Sequence, residues 1–220
     1  MKYRFIIIPA LLIVFSLRLY AQDLNWGQVR DQQNHFMAAK FGADYATVMG
    51  LSYGQRLPWK LQTFLAVDLS SSFGQDLLDD WKMRFSVQSE LWHSGHLSLG
   101  VKPGFIIRRF DSNVARLFST GVDLTATLGY FGAKWTFAAE AHYDQTLATN
   151  VKHHFLQENY PGIYNGWIGA TGGNFKFGGQ VGYSFGGNML ALKLGKAYAR
   201  NFKDNPTLPF YFELSLLRVW

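Results

Sequence analysis

The last eleven residues of the chain, 210–220, alternate between apolar and polar side chains. One parity carries Phe210, Phe212, Leu214, Leu216 and Trp220, and the other begins with Tyr211, Glu213 and Ser215. A period of two indicates a β-strand, and this composition is typical of a tilted strand with lipid on one face and a polar interior on the other. A soluble amphipathic edge strand gives the same pattern, so the interpretation depends on the rest of the chain.

The amino-terminal residues predict export. Residues 1–4 are a short basic region, residues 5–15 are an almost unbroken apolar run, and Ala21 provides a small residue before Gln22. This arrangement is a secretory signal peptide whose apolar run is too short to span a bilayer. Cleavage after Ala21 would lower the formal net charge from +6 to about +3, which argues against nucleic-acid binding. The chain has no cysteine, which excludes disulfides and thiolate metal sites.

Alternation with a period of two recurs through the remaining chain. The clearest run sets Trp81, Met83, Phe85, Val87 and Leu91 against Lys82, Arg84, Ser86, Gln88 and Glu90. Similar runs begin at Trp59, Leu97, Phe118, Trp135, Phe175 and Leu190. Aromatic residues near the ends of such runs are expected at the headgroup levels of a membrane. These residues are Trp59, Trp81, Trp92, Tyr130, Trp135, Tyr183 and Trp220.

The connections between the runs alternate between short and long. Short ones are predicted at 57–58, 93–95, 132–133 and 186–188, and longer ones near 71–80, 109–116, 145–172 and 201–208. Outer-membrane barrels alternate short periplasmic turns with longer outer loops in this way. The chain accordingly resembles outer-membrane β-barrel proteins as a broad class, through its signal peptide, its last strand and its alternation over residues 36–220.

The resemblance implies an all-β fold, an antiparallel up-and-down transmembrane β-barrel. If the last strand ends in the periplasm, counting back along the chain shows that the strand at 43–56 runs from the outer face toward the periplasm. An upward strand must then precede it, and this strand must come from residues 26–42, where only 36–41 is suitable. An even count favours ten strands, with eight strands and an amino-terminal plug or helix as the alternative. The predicted organisation is a signal peptide at 1–21, a periplasmic segment at 22–35 and one barrel domain at 36–220. A soluble β-sandwich is the weaker interpretation.

The polar parities place ionisable residues of both signs inside the predicted barrel. In a barrel this narrow, side chains fill the interior, and opposite charges must pair because isolated buried ions are very costly. We therefore expect a lumen closed by ion pairs rather than an open pore. The predicted network consists of Asp68, Lys82, Arg84, Glu90, Lys102, Asp123, Glu140, Lys176 and Glu213, with Lys60, His142, Asp144 and Lys193 also facing inward.

The longest predicted outer loop, 145–172, is the best candidate for binding, because long loops on rigid scaffolds commonly carry function. Its ionisable candidates are His153, His154 and Glu158, and its aromatic candidates are Tyr160, Tyr164 and Trp167. Imidazole and carboxylate suit zinc, but adjacent histidines usually point apart and the spacing matches no strong motif, so no metal site is predicted. The aromatic residues are candidates for a packed lid or a partner-binding patch.

Catalysis has weaker support. Some small outer-membrane barrels are lipid A acyltransferases, lipid A deacylases or surface proteases, whose chemistry relies on histidine with serine or with paired acids near the outer rim. His142 and Asp144 share the inward parity on the outer side, where they are weak candidates for general acid–base chemistry. The pair His93 and Ser94 falls in a predicted periplasmic turn. No nucleophile and base constellation and no cofactor are predicted.

The leading hypothesis is a non-enzymatic barrel in the outer membrane of a Gram-negative bacterium, whose outer loops bind a partner or ligand. A rim-active hydrolase acting on lipid A or peptide, and a narrow small-solute channel, are the alternatives. The expected partners are outer-membrane lipid and lipopolysaccharide, an envelope protein, and the barrel-insertion machinery during biogenesis. Trp220 resembles the terminal aromatic residue that this machinery reads.

Overall fold

The computed structural model describes residues 24–29, 33–44, 46–73, 79–154, 160, 162–202 and 208–220, so the predicted signal peptide lies outside the described residues. The strands are β1 (His35–Ala43), β2 (Thr47–Arg56), β3 (Thr63–Ser72), β4 (Asp80–Ser94), β5 (Leu97–Asp111), β6 (Ala115–Phe131), β7 (Trp135–His153), β8 (Gly166–Phe185), β9 (Asn188–Ala199) and β10 (Phe210–Val219). Within this described part, no helix is long and apolar enough to cross a membrane.

The strands form one closed antiparallel barrel. Each strand pairs with its neighbours in sequence, and β1 closes the sheet by pairing with both β2 and β10. The closing register runs from Phe36 opposite Val219 to Ala43 opposite Phe212. Full closure removes the exposed strand edges that would otherwise template pairing with another chain. The predictions of an all-β fold and of ten antiparallel up-and-down strands are therefore confirmed, with the first strand in the short region that the sequence left for it.

Outward-facing side chains form an apolar band around the barrel. On β9, Leu190, Leu192 and Leu194 are 40–55% exposed, whereas the intervening Ala191 and Lys193 are buried. This difference follows from strand geometry, since successive side chains point to opposite faces of a sheet. The same alternation continues on β3 and β6, where the outward leucines and valines are likewise exposed. Soluble proteins rarely expose so large a continuous apolar surface, so the outside of the barrel is suited to lipid.

The two ends of the barrel differ. The connections 57–62, 95–96, 132–134 and 186–187 lie at one end with Trp220, and we call this the turn end. The connections 44–46, 73–79, 112–114, 154–165 and 200–209 lie at the opposite end, the loop end. The prediction of a long connection at 109–116 is wrong, because β5 continues to Asp111 and β6 begins at Ala115. Trp59 and Lys60 lie in the first turn rather than in β3, and Lys60 is exposed.

Aromatic side chains surround the outside of the barrel at the turn end. Six of the aromatic residues singled out from the sequence are 40–61% exposed there: Trp59, Trp92, Tyr130, Trp135, Tyr183 and Trp220. The Trp135 ring lies 4.9 Å from that of Tyr183, and the His35 ring lies 5.9 Å from that of Trp220. Trp81 differs, since it is only partly exposed and lies in the second position of β4 at the loop end.

The wall of the barrel is uneven in height. Strands β1, β2, β3 and β10 have 9 or 10 residues and form a low wall, whereas β5 to β8 have 15 to 20 and form a tall wall. With a rise of about 3.3 Å per residue and a tilt of about 40°, ten residues span about 25 Å and twenty about 50 Å. The low wall thus matches the thickness of a membrane-spanning band, and the tall wall extends well beyond it at the loop end.

Residues 24–29 enter the lumen at the turn end. Leu24, Asn25 and Trp26 are at most 5% exposed, and they pack against a buried cluster that includes Phe64 and Phe131. The Asn25 amide donates to the carbonyl of Gly132 at 3.0 Å and to Ser184 Oγ at 2.9 Å. The sequence offered a plug only as part of the eight-strand alternative. The structure instead combines ten strands with an inserted segment.

Candidate functional site

A layer of charged side chains crosses the middle of the lumen, and we call it the ionic belt. Its cations are Lys40, Lys82, Arg84, Lys102, Lys176 and Lys193, and its carboxylates are Asp44, Asp68, Asp123, Glu140, Asp144 and Glu213. Six cations face six carboxylates among the described residues, so the formal charges of the belt cancel. Mutual neutralisation is what allows so many charges to share a narrow interior, since an isolated buried ion is very costly.

Asp68 organises one side of the belt. Its carboxylate contacts Lys40 Nζ at 2.7 Å and Lys102 Nζ at 3.2 Å, and it also accepts a hydrogen bond from Ser52 Oγ. All three charged side chains are at most 12% exposed. These contacts join β1, β3 and β5 through one buried anion. Lys40 was missed by the sequence analysis, although its position on the inward parity of β1 is a signal that could have found it.

Asp44 ties opposite sides of the barrel together. It lies in the connection between β1 and β2, yet its carboxylate contacts Lys82 Nζ at 3.0 Å and also pairs with Lys176. Lys82 is on β4 and Lys176 is on β8, so this turn folds inward and bridges the lumen. The sequence analysis did not single out Asp44, because a residue in a turn has no parity from which an inward direction can be read.

The remaining belt contacts each join two strands that have one other strand between them: β4 with β6, and β7 with β9. Arg84 Nε lies 2.5 Å from Asp123 Oδ2, and Lys193 Nζ lies 2.6 Å from Glu140 Oε2. Glu213 lines the same layer beside a cavity of about 120 Å³, and its buried Oε1 has no hydrogen-bond partner in the described part of the chain. Of the residues that the sequence placed in the ionic network, only Glu90 lies outside the belt. It accepts a hydrogen bond from Ser98 Oγ at 2.5 Å.

His142 and Asp144 lie within the belt. His142 Nδ1 is 2.8 Å from Thr125 Oγ1, and His142 Nε2 is 3.5 Å from Asp144 Oδ2. The structure thereby adds a hydroxyl group, which the sequence analysis did not identify, to the two weak catalytic candidates. Thr125 and His142 are each only 8% exposed, so the three groups are placed to hold the belt together rather than to meet a large substrate.

The space above the belt opens toward the loop end. A second cavity of about 290 Å³ is lined by residues of the tall wall together with Asp44, Lys82 and Lys176. Arg108 also lines it and is held by two hydrogen bonds of 3.1 Å to the buried carboxylate of Asp80. Among the described residues, the belt therefore forms the floor of a cup that widens toward the loop end, and residues 24–29 with apolar side chains lie on the other side of the belt, at the turn end.

The predicted loop at 145–172 is shorter in the structure, because β7 continues to His153 and β8 begins at Gly166. Its two histidines have different partners: His153 contacts the Asn165 side chain at 3.1 Å, and His154 Nε2 contacts Asp111 Oδ1 at 2.9 Å. Glu158 lies outside the described residues. Across the described ranges, no group of three or more histidine and carboxylate side chains is arranged to hold a metal ion.

The aromatic candidates of this loop are exposed. Tyr160, Tyr164 and Trp167 are 62%, 60% and 56% exposed at the loop end. The Tyr164 hydroxyl donates to the carbonyl oxygen of Trp167 at 3.1 Å, which fixes these two residues relative to each other. We call these three residues the aromatic patch.

Comparisons with known proteins relate the chain to others through its fold. A scan against protein-family models finds no match, and a search of curated proteins also finds none. Among solved structures, the barrel is similar to an outer membrane channel from Pseudomonas putida F1, with a TM-score of 0.53 and 12% sequence identity. The similarity covers 91% of this chain and 100% of the channel. At this identity the comparison shows a shared fold, and the chain therefore has the fold of a small outer-membrane β-barrel.

Proposed function

We propose that the protein is a non-enzymatic outer-membrane barrel with a closed lumen, which uses its loop end to bind a partner at the cell surface. The observation that carries the proposal is the double obstruction of the lumen. The neutral ionic belt crosses its middle, and residues 24–29 fill its turn end. A barrel built for free diffusion would keep a continuous aqueous path instead.

The orientation follows from the two ends. Short turns and the exposed aromatic rings of the turn end fit the periplasmic side, and the tall wall and longer connections fit the outer side. The low wall, about 25 Å high, matches the apolar band of such a membrane. Signal-peptide cleavage near Ala21 and insertion into the outer membrane of a Gram-negative bacterium are parts of the same proposal.

The aromatic patch supports the binding role. Exposed tyrosine and tryptophan side chains are the residue types that most often anchor protein interfaces. They stand at the loop end of the tall wall, on the outer face in the proposed orientation, where an envelope protein or a surface ligand has access. A photo-crosslinker at Tyr164 in intact cells is expected to trap a partner, whereas one at Lys60, at the periplasmic end, is not. A Trp167→Ser variant is expected to lower the Tyr164 yield, and an unchanged yield would contradict this role for the patch.

A second candidate function, a narrow channel gated from the periplasmic side, is favoured by one specific observation. Residues 24–29 are not part of the sheet, and their polar anchors are few: the Asn25 contacts and a hydrogen bond of 2.8 Å from Gln28 Nε2 to the Ala133 carbonyl. The similar structure, described as an outer membrane channel, is compatible with this function.

Conductance in planar bilayers separates the two candidates. The full chain and a variant lacking residues 24–29 are purified, and closure of each barrel is checked by the mobility shift of unboiled protein on SDS gels. We expect neither protein to conduct, because the ionic belt remains. Conductance only after deletion would support the gated channel, and steady conductance by the full chain would refute the closed lumen.

A further inference from the structure

Three basic side chains form a compact patch on the outer surface of the tall wall. Arg109 is near the end of β5, Arg116 is the second residue of β6, and Lys152 is the last but one residue of β7. Arg116 lies directly opposite Lys152 in the β6–β7 register. All three share the outward parity of exposed apolar residues such as Phe105 and Val122. We call them the basic patch.

The charges of the basic patch are only partly compensated. Arg109 Nη2 and Arg116 Nε each contact Asp111 Oδ2 at 2.7 Å, so one carboxylate oxygen serves two guanidinium groups. Lys152 has no anionic partner among the described residues, and Arg109 Nε has no hydrogen-bond acceptor among them. Like charges directly opposite each other on neighbouring strands destabilise a sheet. A further anion beside Arg116 and Lys152 would therefore stabilise this part of the sheet.

Among the described residues, the other carboxylate at this end, that of Asp79, is too far away to neutralise Lys152. Asp79 precedes β4 and lies beside Asp111 at the rim of a surface cavity. Three strand spacings separate β4 from β7, so Asp79 is about 14 Å from Lys152 at about 4.8 Å per spacing. That distance exceeds the Debye length of about 10 Å at 0.1 M salt. The excess positive charge is thus concentrated at β6 and β7.

The position of the basic patch matches the level of lipid headgroups. Arg109 is paired with Trp81 on one side and Phe118 on the other, and the exposed side chains of Phe105 and Val122 follow toward the membrane. Cations immediately above an apolar band face the phosphates of the adjoining leaflet. Two arginines held in place by Asp111 suit phosphate, because guanidinium binds its oxygens in a bidentate manner.

We propose that the basic patch binds a phosphate group of a phosphorylated glycolipid in the outer leaflet. This inference rests on the proposed orientation, in which the loop end faces outward. Arg116 and Lys152 share the phosphate, which removes their repulsion, and Arg109 helps to hold Asp111 beside them. The acyl chains of the lipid lie against the apolar band below. The site is on the outside of the barrel, apart from the lumen, and it borders the aromatic patch, because Trp167 lies opposite Asn150 in the β7–β8 register.

The test uses the purified full chain in detergent and lipid A as the probe. Binding is measured by native mass spectrometry for lipid A with its phosphates and after enzymatic dephosphorylation. The variant R116Q/K152Q removes the two charges that face each other, and K134Q, in a turn at the opposite end, is the control. We expect the double variant to weaken lipid A binding about tenfold or more, equivalent to about 1.4 kcal/mol. K134Q is expected to bind as the native chain does.

The outcomes separate the sources of the phosphate and the two proposals. Dephosphorylated lipid A is expected to bind the native chain as weakly as lipid A binds the double variant. Full competition by inorganic phosphate would overturn the lipid assignment in favour of a free-phosphate site. Equal binding by the native chain and the double variant would overturn the site altogether. Fractionation of the same preparation tests location separately: an outer-membrane protein that fails the lipid test refutes only this inference.

Discussion

Replacing Asp68 by asparagine tests whether the ionic belt holds the barrel together. The substitution keeps the shape of the side chain but leaves Lys40 and Lys102, which are 12% and 9% exposed, without their shared anion. Breaking a buried pair by removing one partner costs about 3–5 kcal/mol, because the other charge stays buried without compensation. At roughly 2–4 °C per kcal/mol for a chain of this size, the unfolding midpoint should fall by about 6–20 °C.

The assay is the loss of the fast-migrating, folded band on SDS gels as the temperature is raised in detergent. A second variant, D68N/K102Q, removes one of the two orphaned cations and should recover part of the lost stability. The carboxylate of Asp79, which is at the rim and only partly buried, provides the control substitution Asp79→Asn. A fall of less than about 3 °C for D68N would refute the reasoning, and so would a double variant whose loss equals the sum of the single losses.

Three further predictions follow from the packing and the rim. Gly100→Val should expel Trp26 from the lumen, because the new Cβ would lie 3.0 Å from Trp26 Nε1. The quenching of tryptophan fluorescence by iodide should therefore rise. In the control Gly179→Val, the new Cβ meets no atom closer than 3.6 Å, so the quenching should stay unchanged. Phe64→Ala, at a fully buried position, should cost about 3–5 kcal/mol in urea unfolding, and the lipid-facing Phe85→Ala less than half of that. Hydrogen bonds from Arg109, His154 and Arg116 lower the pKa of Asp111 in the folded protein. The contribution of this carboxylate to stability is therefore complete above the unfolded-state pKa of about 3.9, and it is lost as the pH falls through the lower folded-state pKa. The protection factors of the amides at 112–114, corrected for the intrinsic pH dependence of exchange, should therefore fall in acid, and Asp111→Asn should abolish that fall.

The fold was predictable wherever a strand has lipid on one side. In β4 and β10 the outward parity is nearly pure in apolar residues, so period-two alternation identified them without ambiguity. The upper part of β7 was predicted as loop because it stands above the apolar band. Asn150 and Lys152 are on its outward face there, and because this face no longer meets hydrocarbon, the alternation disappears although the strand continues.

The candidate site was predictable only in part, for similar reasons. Parity identified most of the inward charges, because a charged side chain on a lipid-facing parity would stand out. It could not identify Asp44, whose role depends on an inward fold of a turn, or residues 24–29, which have no periodicity. The positions of Asp44 and of residues 24–29 both depend on the space in the middle of the ten-strand barrel. That space exists only after the barrel has closed. The partner of the aromatic patch stays a prediction.

Because the low and tall walls differ in height, the barrel is asymmetric about its own axis when it is viewed from outside the cell in the proposed orientation. Among the described residues, the rim of the cup is lower over the short strands β1 to β3 than over the tall wall. In the proposed orientation, a molecule that moves within the plane of the membrane meets this lower rim on the side of β1 to β3. Rotation of the protein about its own axis, or a neighbour that restrains this rotation, therefore decides what the cup meets, without any change in its internal structure.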